Sequence, residues 1–401
     1  MKQFEELRKQ LLDRLDTGRE LEEQEIREAI DELVLHEGKS CFLSLRDKTD
    51  LRDRLFYSVR GLDVLQQLAD DPEVTEIMAN GYKNIFFEKA GKLQRWDKHF
   101  SSPERLEDVI QQIAGKCNRT VNEQLPVMDA RLEDGSRVHV VMKPIAIDGP
   151  ILSIRKFPDR PITMEGLMER GSISREAADF MGELVRARYT ILVGGGTSTG
   201  KTTFLNALSG HIPEGERIVT IEDNAELRIQ GVDNLVRLEA RSESLQGGRE
   251  ISIRELIRTA LRMRPNRIII GEVRGAEAGD FLNCLNTGHE GSLGSAHANS
   301  IRDMAGRIEM MAMMGTRLPA EVIRRQIASG IEILVHLERD REGNRKVAEI
   351  GEITGISEGK VQVVPVYRRD RQNRLERTGD LLRKEKLEKY RDEKKKSERK
   401  N

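Results

Sequence analysis

Ile191-Leu-Val-Gly-Gly-Gly-Thr-Ser-Thr-Gly-Lys-Thr-Thr203 decides how this chain is read. Ile191–Val193 read as the end of a buried strand, Gly195 to Thr202 fit G-x-x-x-x-G-K-[ST], and Thr203–Leu208 continue with helical spacing. Strand, glycine-rich loop and helix in that order make a phosphate site. Glycines let the backbone curl so that its N–H groups face one concavity, and the helix adds free amides and the positive end of its dipole. The candidate nucleotide-binding residues are therefore Gly195, Gly196, Thr197, Ser198, Thr199, Gly200, Lys201, Thr202 and Thr203. Lys201 is expected to reach the β- and γ-phosphates of ATP, and the Thr202 hydroxyl to take one position on Mg²⁺. The competing reading is a glycine-rich turn that fits by chance, and the flanking strand and helix weigh against it.

The rest of the chain sets limits. Its 401 residues allow two or three domains, each with its own core. With 34% charged and 4% aromatic residues, helices with salt-bridged faces should be plentiful. A formal net charge of −1 gives no global pull toward nucleic acid or an anionic membrane. Cys41, Cys117 and Cys284 lie far apart with no C-x-x-C, so neither a disulfide framework nor a zinc ribbon is expected and a reducing cytosol fits. No run approaches the roughly 18 apolar residues of a membrane span, and Met1-Lys-Gln-Phe-Glu-Glu is not a signal peptide. Membrane association is expected through a partner or a surface helix.

Taken in order, residues 1–60 read as an N-terminal helical arm, with stripes at Phe4, Leu7, Leu11, Leu15 and at Ile26, Ile30, Leu33, Val34, separated by Asp16-Thr-Gly18. Packing and docking to a partner are both open for it. Residues 61–160 read as an α+β domain: a strand after Asp71-Pro72, a hairpin around Ala90-Gly91, and a helix over Pro103–Ala114. Asp129–Leu132 and Val138–Met142 then pair around a tight turn, Ile151–Phe157 adds a strand, and Pro158 with Pro161 closes the unit. Residues 161–367 alternate strand and helix, which implies a mostly parallel sheet with helices on both faces. Ile331–Leu337, Val347–Ile353 and Val361–Val366 read as an antiparallel appendage with its turn at Asp340–Asn344. Residues 368–401 read as a charged tail with Leu381, Leu382 and Leu387 as its apolar stripe, too little to pack; a chain ending near Arg369 is expected to stay folded.

Three further clusters sit where strands of such a sheet should end. Thr220-Ile-Glu-Asp-Asn-Ala-Glu226 brings Glu222 and Glu226, spaced so that one orients a water while the other holds position or metal. Arg267-Ile-Ile-Ile-Gly-Glu272 delivers one carboxylate from a buried strand, the geometry of a Walker B acid, with Glu in place of the usual Asp as a ligand to Mg²⁺. Thr287-Gly-His-Glu-Gly-Ser-Leu-Gly-Ser-Ala-His-Ala-Asn-Ser300 carries His289 and His297 around a strand. Singly, each reads as readily as a helix cap or a satisfied polar residue.

Together with the P-loop, Ile221-Glu-Asp-Asn-Ala-Glu-Leu227, Ile270-Gly-Glu-Val-Arg-Gly-Ala-Glu-Ala278 and the histidine segment resemble the Walker A, Asp box, Walker B and His box of type II/IV secretion ATPases. Asp129-Ala-Arg-Leu-Glu-Asp-Gly-Ser-Arg137 and Ser153-Ile-Arg-Lys-Phe157 are also similar to that family, over roughly residues 60–340, and the likeness is nearest to its CpaF-like, tight-adherence pilus branch. The resemblance implies a hexameric RecA-like P-loop motor with a preceding α+β domain and nucleotide bound between the two. It also implies that ATP turnover drives pilin movement through an inner-membrane platform protein, at the cytoplasmic face. By the same resemblance Glu226 polarises the attacking water, with Glu222 the alternative, and Arg131, Arg137 and Arg155 of the α+β domain supply a further cation. Strand alternation suggests that not all three arginines reach one ligand, and Arg241, Arg254 and Arg258 are the next candidates. Two departures are Ser198-Thr199 where many members have Gly-Ser, and the lack of a four-cysteine zinc insert. Rival functions are a nucleic-acid motor, disfavoured by neutral charge and few aromatics for base stacking, and a nucleotide-gated scaffold with little turnover.

Overall fold

The computed structural model describes residues 2–15, 22–40, 44–89, 91–157, 162–241 and 249–398. The expected turn at 16–18, Cys41, Ala90 of the first hairpin and the closing prolines 158 and 161 lie outside them. The chain divides into two compact units, Met1–Asp159 and Arg160–Asn401.

In the first unit, helices α1 (Lys2–Arg14), α2 (Glu23–Ser40) and α3 (Leu45–Arg60) pack Leu7, Leu11, Ile26, Ile30, Leu33 and Leu55 into a small core. Ser44 and Asp47 close a capping box that starts α3. A 3₁₀ turn, Asp63–Leu65, and α4 (Gln66–Asp70) lead to β1 (Val74–Asn80), β2 (Asn84–Lys89) and β3 (Lys92–Arg95). After α5 (Pro103–Lys116) come β4 (Val127–Arg131), β5 (Arg137–Val141) and β6 (Ile151–Arg155). The sheet order is β3-β2-β1-β6-β5-β4, antiparallel throughout. Period-two alternation puts Ile77, Ala79, Ile85, Val138, Val140, Leu152 and Ile154 against Leu106, Val109, Ile110 and Ile113 of α5. Buried Arg105 of α5 holds α3 to this domain by donating to the Ser58 carbonyl and the Asp63 carboxylate.

The second unit is built on one nine-stranded sheet. Its elements are α6 (Met164–Glu169), α7 (Arg175–Arg186), β7 (Ile191–Gly195), α8 (Lys201–Ser209), β8 (Ile218–Glu222), β9 (Leu235–Glu239), α9 (Ile253–Ala260) and β10 (Arg267–Val273). α10 (Glu277–Leu285), β11 (Leu293–Ala296), α11 (Ile301–Gly315), α12 (Ala320–Gly330), β12 (Ile333–Arg339), β13 (Arg345–Ser357), β14 (Lys360–Arg369), β15 (Leu375–Arg377) and α13 (Glu385–Glu398) follow. The strand order is β15-β14-β13-β12-β7-β11-β10-β8-β9. The six strands from β12 to β9 are parallel and the remaining pairings antiparallel. Alternate residues feed two cores. Ile191, Val193, Ile333 and Val335 face α7 and α8, whereas Leu192, Ile268, Ile270 and Leu334 face α9, α10, α11 and α12. Parallel strands buried on both faces are what the continuous apolar runs demand. Among the described residues no helix is long and apolar enough to cross a membrane.

Two expectations change. β12 belongs to the parallel part of the sheet, in register beside β7 with Leu337 opposite Gly195, so the antiparallel strands extend the main sheet rather than hang from it. The chain beyond 368 also packs: Leu375, Leu381 and Leu387 are buried in the same core as β7. Its polar groups meet buried acids. Glu352 accepts the backbone N–H groups of Leu382 and Arg383 at 2.6 and 2.7 Å, Glu332 accepts Lys386 Nζ at 3.0 Å, and the Tyr189 hydroxyl donates to the Arg383 carbonyl at 2.6 Å. A chain ending at Arg369 would leave both carboxylates buried without these donors, so the expectation that such a chain stays folded is reversed. Leu387→Ala should lower the unfolding free energy by about 2–5 kcal/mol, the usual cost of emptying a core leucine site. Urea denaturation measures it, and the Arg369 truncation should lose more; equal midpoints for all three chains would show that the segment packs without stabilising.

Candidate active site

β7 ends in glycines because nothing larger fits. A Cβ on Gly194 would lie 2.2 Å from Met304 Cε, and one on Gly195 would lie 2.5 Å from Thr199 Oγ1 and 2.6 Å from the Leu337 carbonyl oxygen. Gly200, at φ +94°, takes the left-handed turn that opens α8. Ser198 is also left-handed, at φ +57°, an uncommon conformation for a residue with a side chain. Its carbonyl accepts Nε of Arg339 and Nε of Arg345, each at 3.1 Å, across the hairpin from β12 to β13. Thr199 Oγ1 donates to the Gly196 carbonyl at 2.9 Å, and buried Lys201 Nζ donates to Gly196 and Gly195 carbonyls at 3.1 and 3.3 Å. The loop is thus a backbone cradle at a helix N-terminus with one buried ammonium in it, an arrangement that fits phosphate oxygens.

The strand order brings the acids and one histidine to the same edge. β10 and β11 end beside β7, so Glu272 Oε1 lies 3.3 Å from Lys201 Nζ and 2.9 Å from His297 Nε2. That oxygen is buried and accepts no well-angled hydrogen bond, while Oε2 accepts Arg274 Nε and Nη2 at 2.8 and 2.5 Å. Burial works against the Glu272 charge, but Arg274, Lys201 and His297 outweigh it and hold the carboxyl below its usual range. Burial, together with the cationic field of Lys201, Arg274 and Arg307, keeps His297 below the usual histidine range despite Glu272. Arg274 also lies 3.5 Å from Asp223, tying the ends of β10 and β8. Among the described residues no group of three or more His, Cys, Asp or Glu side chains could hold a metal ion by itself. One carboxylate and the hydroxyl of half-buried Thr202 suit Mg²⁺, which keeps several waters and completes its shell with substrate phosphates.

The two Asp-box glutamates differ in surroundings. Glu222 is buried at the end of β8, and its Oε1 accepts the backbone N–H groups of Glu226 and Leu227 at 2.9 Å each. It packs so tightly on β10 that a Cβ on Gly271 would sit 2.8 Å from its Cγ. Glu222 therefore shapes the turn that carries half-buried Glu226. Burial pushes its carboxyl up to about 7, against the pull of those two amides.

The structure does not bring His289 to this edge. It precedes β11, and its Nδ1 lies 3.1 Å from the Cys284 carbonyl at the end of α10, so four strand residues separate it from His297. Arg131, Arg137 and Arg155 belong to the other unit, where they form one cross-strand row: Arg131 pairs with Arg137, Arg137 with Arg155, and Arg155 with Glu76. Directly opposed residues share a face, so all three point the same way, contrary to the expectation that alternation divides them. Arg254 and Arg258 both donate to Asp280, and Arg241 donates to the Arg249 carbonyl. No motif marks Arg274, Arg339 or Arg345 in the sequence; two arginines flanking the Asp340–Asn344 turn are the available signal.

Fold and site together define a P-loop nucleoside triphosphatase on a mostly parallel sheet. The chain matches the profile described as Type II/IV secretion system protein over residues 59–363. It is 36% identical over 319 residues to a putative conjugal transfer protein of Mycobacterium tuberculosis, covering 78% of this chain and 89% of that one. To the type IV secretion system protein VirB11 of Brucella suis it is 32% identical over 303 residues, covering 69% and 84%. The fold is also that of the ATPase DotB of Legionella pneumophila (TM-score 0.52, 19% identity, 71% of this chain and 78% of that one). The pilus retraction motor PilT with bound ADP shares it as well (TM-score 0.51, 16% identity, 85% and 89%). The chain belongs to the type II/IV secretion system ATPase family, a family of nucleotide-binding NTP hydrolases.

The raised Glu222 carboxyl has a measurable consequence. Between about pH 4.5 and 7 the folded chain keeps a proton that the unfolded chain has released. Native stability from this group is therefore greatest at low pH and falls as pH rises, by on the order of 3 kcal/mol in all. Glu222→Gln keeps an oxygen for the two amides and removes the titration. Its advantage over wild type in urea unfolding should be near zero at about pH 4 and grow to about pH 8; a constant gap would show that the carboxyl is ionised throughout.

Proposed function

We propose that the chain is an ATP-driven motor of the CpaF-like, tight-adherence pilus branch, working as a hexamer at the cytoplasmic face of the inner membrane. Turnover would power pilus assembly or protein secretion through a membrane platform protein. The observation that carries the reading is the meeting of Lys201, Glu272 and His297 at the mouth of the P-loop.

In this reading the amides of residues 196–202 and Lys201 bind the β- and γ-phosphates, leaving Glu272 to exchange its ion pair with Lys201 for the substrate. Thr202 and Glu272 would hold Mg²⁺, which would neutralise charge developing on the transferring phosphoryl group. Water attacks the γ-phosphorus in line, and Glu226 orients it; Glu222, engaged by two backbone amides, fixes the turn from which Glu226 acts. His297, whose Nε2 lies 2.9 Å from Glu272 Oε1, stands beside that acid and, neutral, adds no charge to the site. By the family resemblance, Arg131, Arg137 and Arg155 are the candidates for the additional cation.

Phosphate release by the purified oligomer tests the scheme. Lys201→Ala should abolish turnover and weaken ATP binding. Glu226→Gln should bind ATP and turn over at least a hundredfold more slowly, whereas wild-type rates there would move the water-orienting role elsewhere. Arg137→Ala and Arg155→Ala should each lower turnover about tenfold or more, within the range of a phosphoryl-transfer arginine, in protein that remains folded and oligomeric. Turnover that requires added DNA would favour a nucleic-acid motor instead.

A further inference from the structure

The turn after β10 sets one cation on the acid that faces the P-loop, and the turn does not rely on that cation for its own shape. The backbone N–H groups of Arg274 and Gly275 both donate to Oε1 of Glu277, the first residue of α10, at 2.6 and 2.8 Å. The Arg274 guanidinium takes no part in that bonding and folds back over the strand end. Its Nε and Nη2 donate to Glu272 Oε2 at 2.8 and 2.5 Å, and Nη1 lies 3.5 Å from Asp223 Oδ2. Lys201 and His297 meet the other oxygen, Oε1, at 3.3 and 2.9 Å. The two oxygens of Glu272 are thus divided between the phosphate cradle and Arg274.

Exposure bears on what the arginine does. Its side chain is 59% exposed, and an ion pair so open to water adds little to stability. The Glu272 side chain is only 16% exposed, and the effect on it is geometric. Two charge-assisted N–H bonds to one oxygen fix how the carboxylate is turned, a fit that the planar fork of arginine makes and the ammonium of lysine does not. With Oε2 engaged, Oε1 is the oxygen left to a metal ion. The remaining guanidinium nitrogen reaches across to Asp223, which follows Glu222 and opens the turn that carries Glu226.

We infer that Arg274 is a positioning residue: it restricts Glu272 to one metal-facing oxygen and ties that acid to the Asp-box turn from which Glu226 acts. The inference rests on the reading above in which Thr202 and Glu272 hold Mg²⁺.

Mn²⁺ titration of the full-length chain with ADP, followed by electron paramagnetic resonance, reads the metal separately from turnover. A cation on Oε2 draws charge away from Oε1, so Arg274→Gln should bind Mn²⁺ as tightly as wild type or tighter, by up to about tenfold. Its kcat should fall by about tenfold or more, as when the partner that orients a metal ligand is removed, with the ATP KM within about threefold of wild type. Arg274→Lys keeps the charge without the fork and should lose kcat alike at wild-type Mn²⁺ affinity; it carries the same comparison if Arg274→Gln does not fold. Asp223→Asn should lower kcat less, and the double variant with Arg274→Gln should fall short of the product of the two losses, because the side chains act through one contact. Unchanged kcat in Arg274→Gln overturns the inference. So does full recovery in Arg274→Lys, which would make charge alone the requirement. Mn²⁺ affinity lost in step with kcat also overturns it, leaving Arg274 a structural support of the metal site, and losses that multiply in the double variant would remove the tie to the Asp box. Wild-type chain that hydrolyses ATP but binds no Mn²⁺ with ADP would overturn the metal assignment itself, and this inference with it.

Discussion

A buried ammonium needs an anion nearby, and in this protein the anion is Glu272. Lys201 is held inside the loop by two carbonyls, but its charge is balanced from β10, and that is possible because β11 places β10 one strand removed from β7. The same carboxylate carries His297 from β11 and Arg274 from the turn beyond β10. Strand order, the tight Gly194 and Gly271 positions and the burial of Glu222 all serve to bring strand ends close enough for this exchange of partners. The site is preorganised by charges that a triphosphate and its metal would redistribute rather than create.

Much of this was legible in the sequence because it is local. The P-loop glycines and the apolar run that ends at Glu272 each declare themselves within a few residues. So do the apolar positions 301, 304, 305, 308, 311 and 312 of α11, a helix absent from the sequence expectations above. What escaped depends on register or on distant partners. His289 and His297 stand close in sequence, yet a four-residue strand is long enough to put them at opposite edges of the sheet. The three arginines of the first unit share a face because of how β4, β5 and β6 are paired, which spacing along the chain does not reveal. Arg339 and Arg345 meet the loop only because β12 pairs with β7 across more than a hundred intervening residues.

The C-terminal segment was misjudged for a different reason. Counting apolar residues gives it almost nothing to bury. It packs through three buried leucines, 375, 381 and 387, together with backbone amides and a lysine paired to two carboxylates, Glu352 and Glu332, that the sheet has already buried. An unpaired carboxylate in such a place is costly, so the acids depend on the segment as much as the segment depends on them. Charge-rich composition therefore says little about whether a terminal stretch is ordered when its partners are polar and hidden.

That dependence bears on how the chain is made. Tyr189 stands two residues before β7, and the carbonyl that takes its hydroxyl belongs to Arg383. Ribosomal synthesis delivers the two ends of this contact about 200 residues apart, and contacts of such sequence separation form late. The nascent chain will have emitted its whole phosphate loop well before the segment that seals the strand beneath it, leaving Glu332, Glu352 and one face of the sheet open to water in the interval. The first unit can fold while the second is still being made, whereas the second closes only once the segment around Arg383 has been synthesised. A chaperone that shields exposed apolar strand faces would find its binding window there.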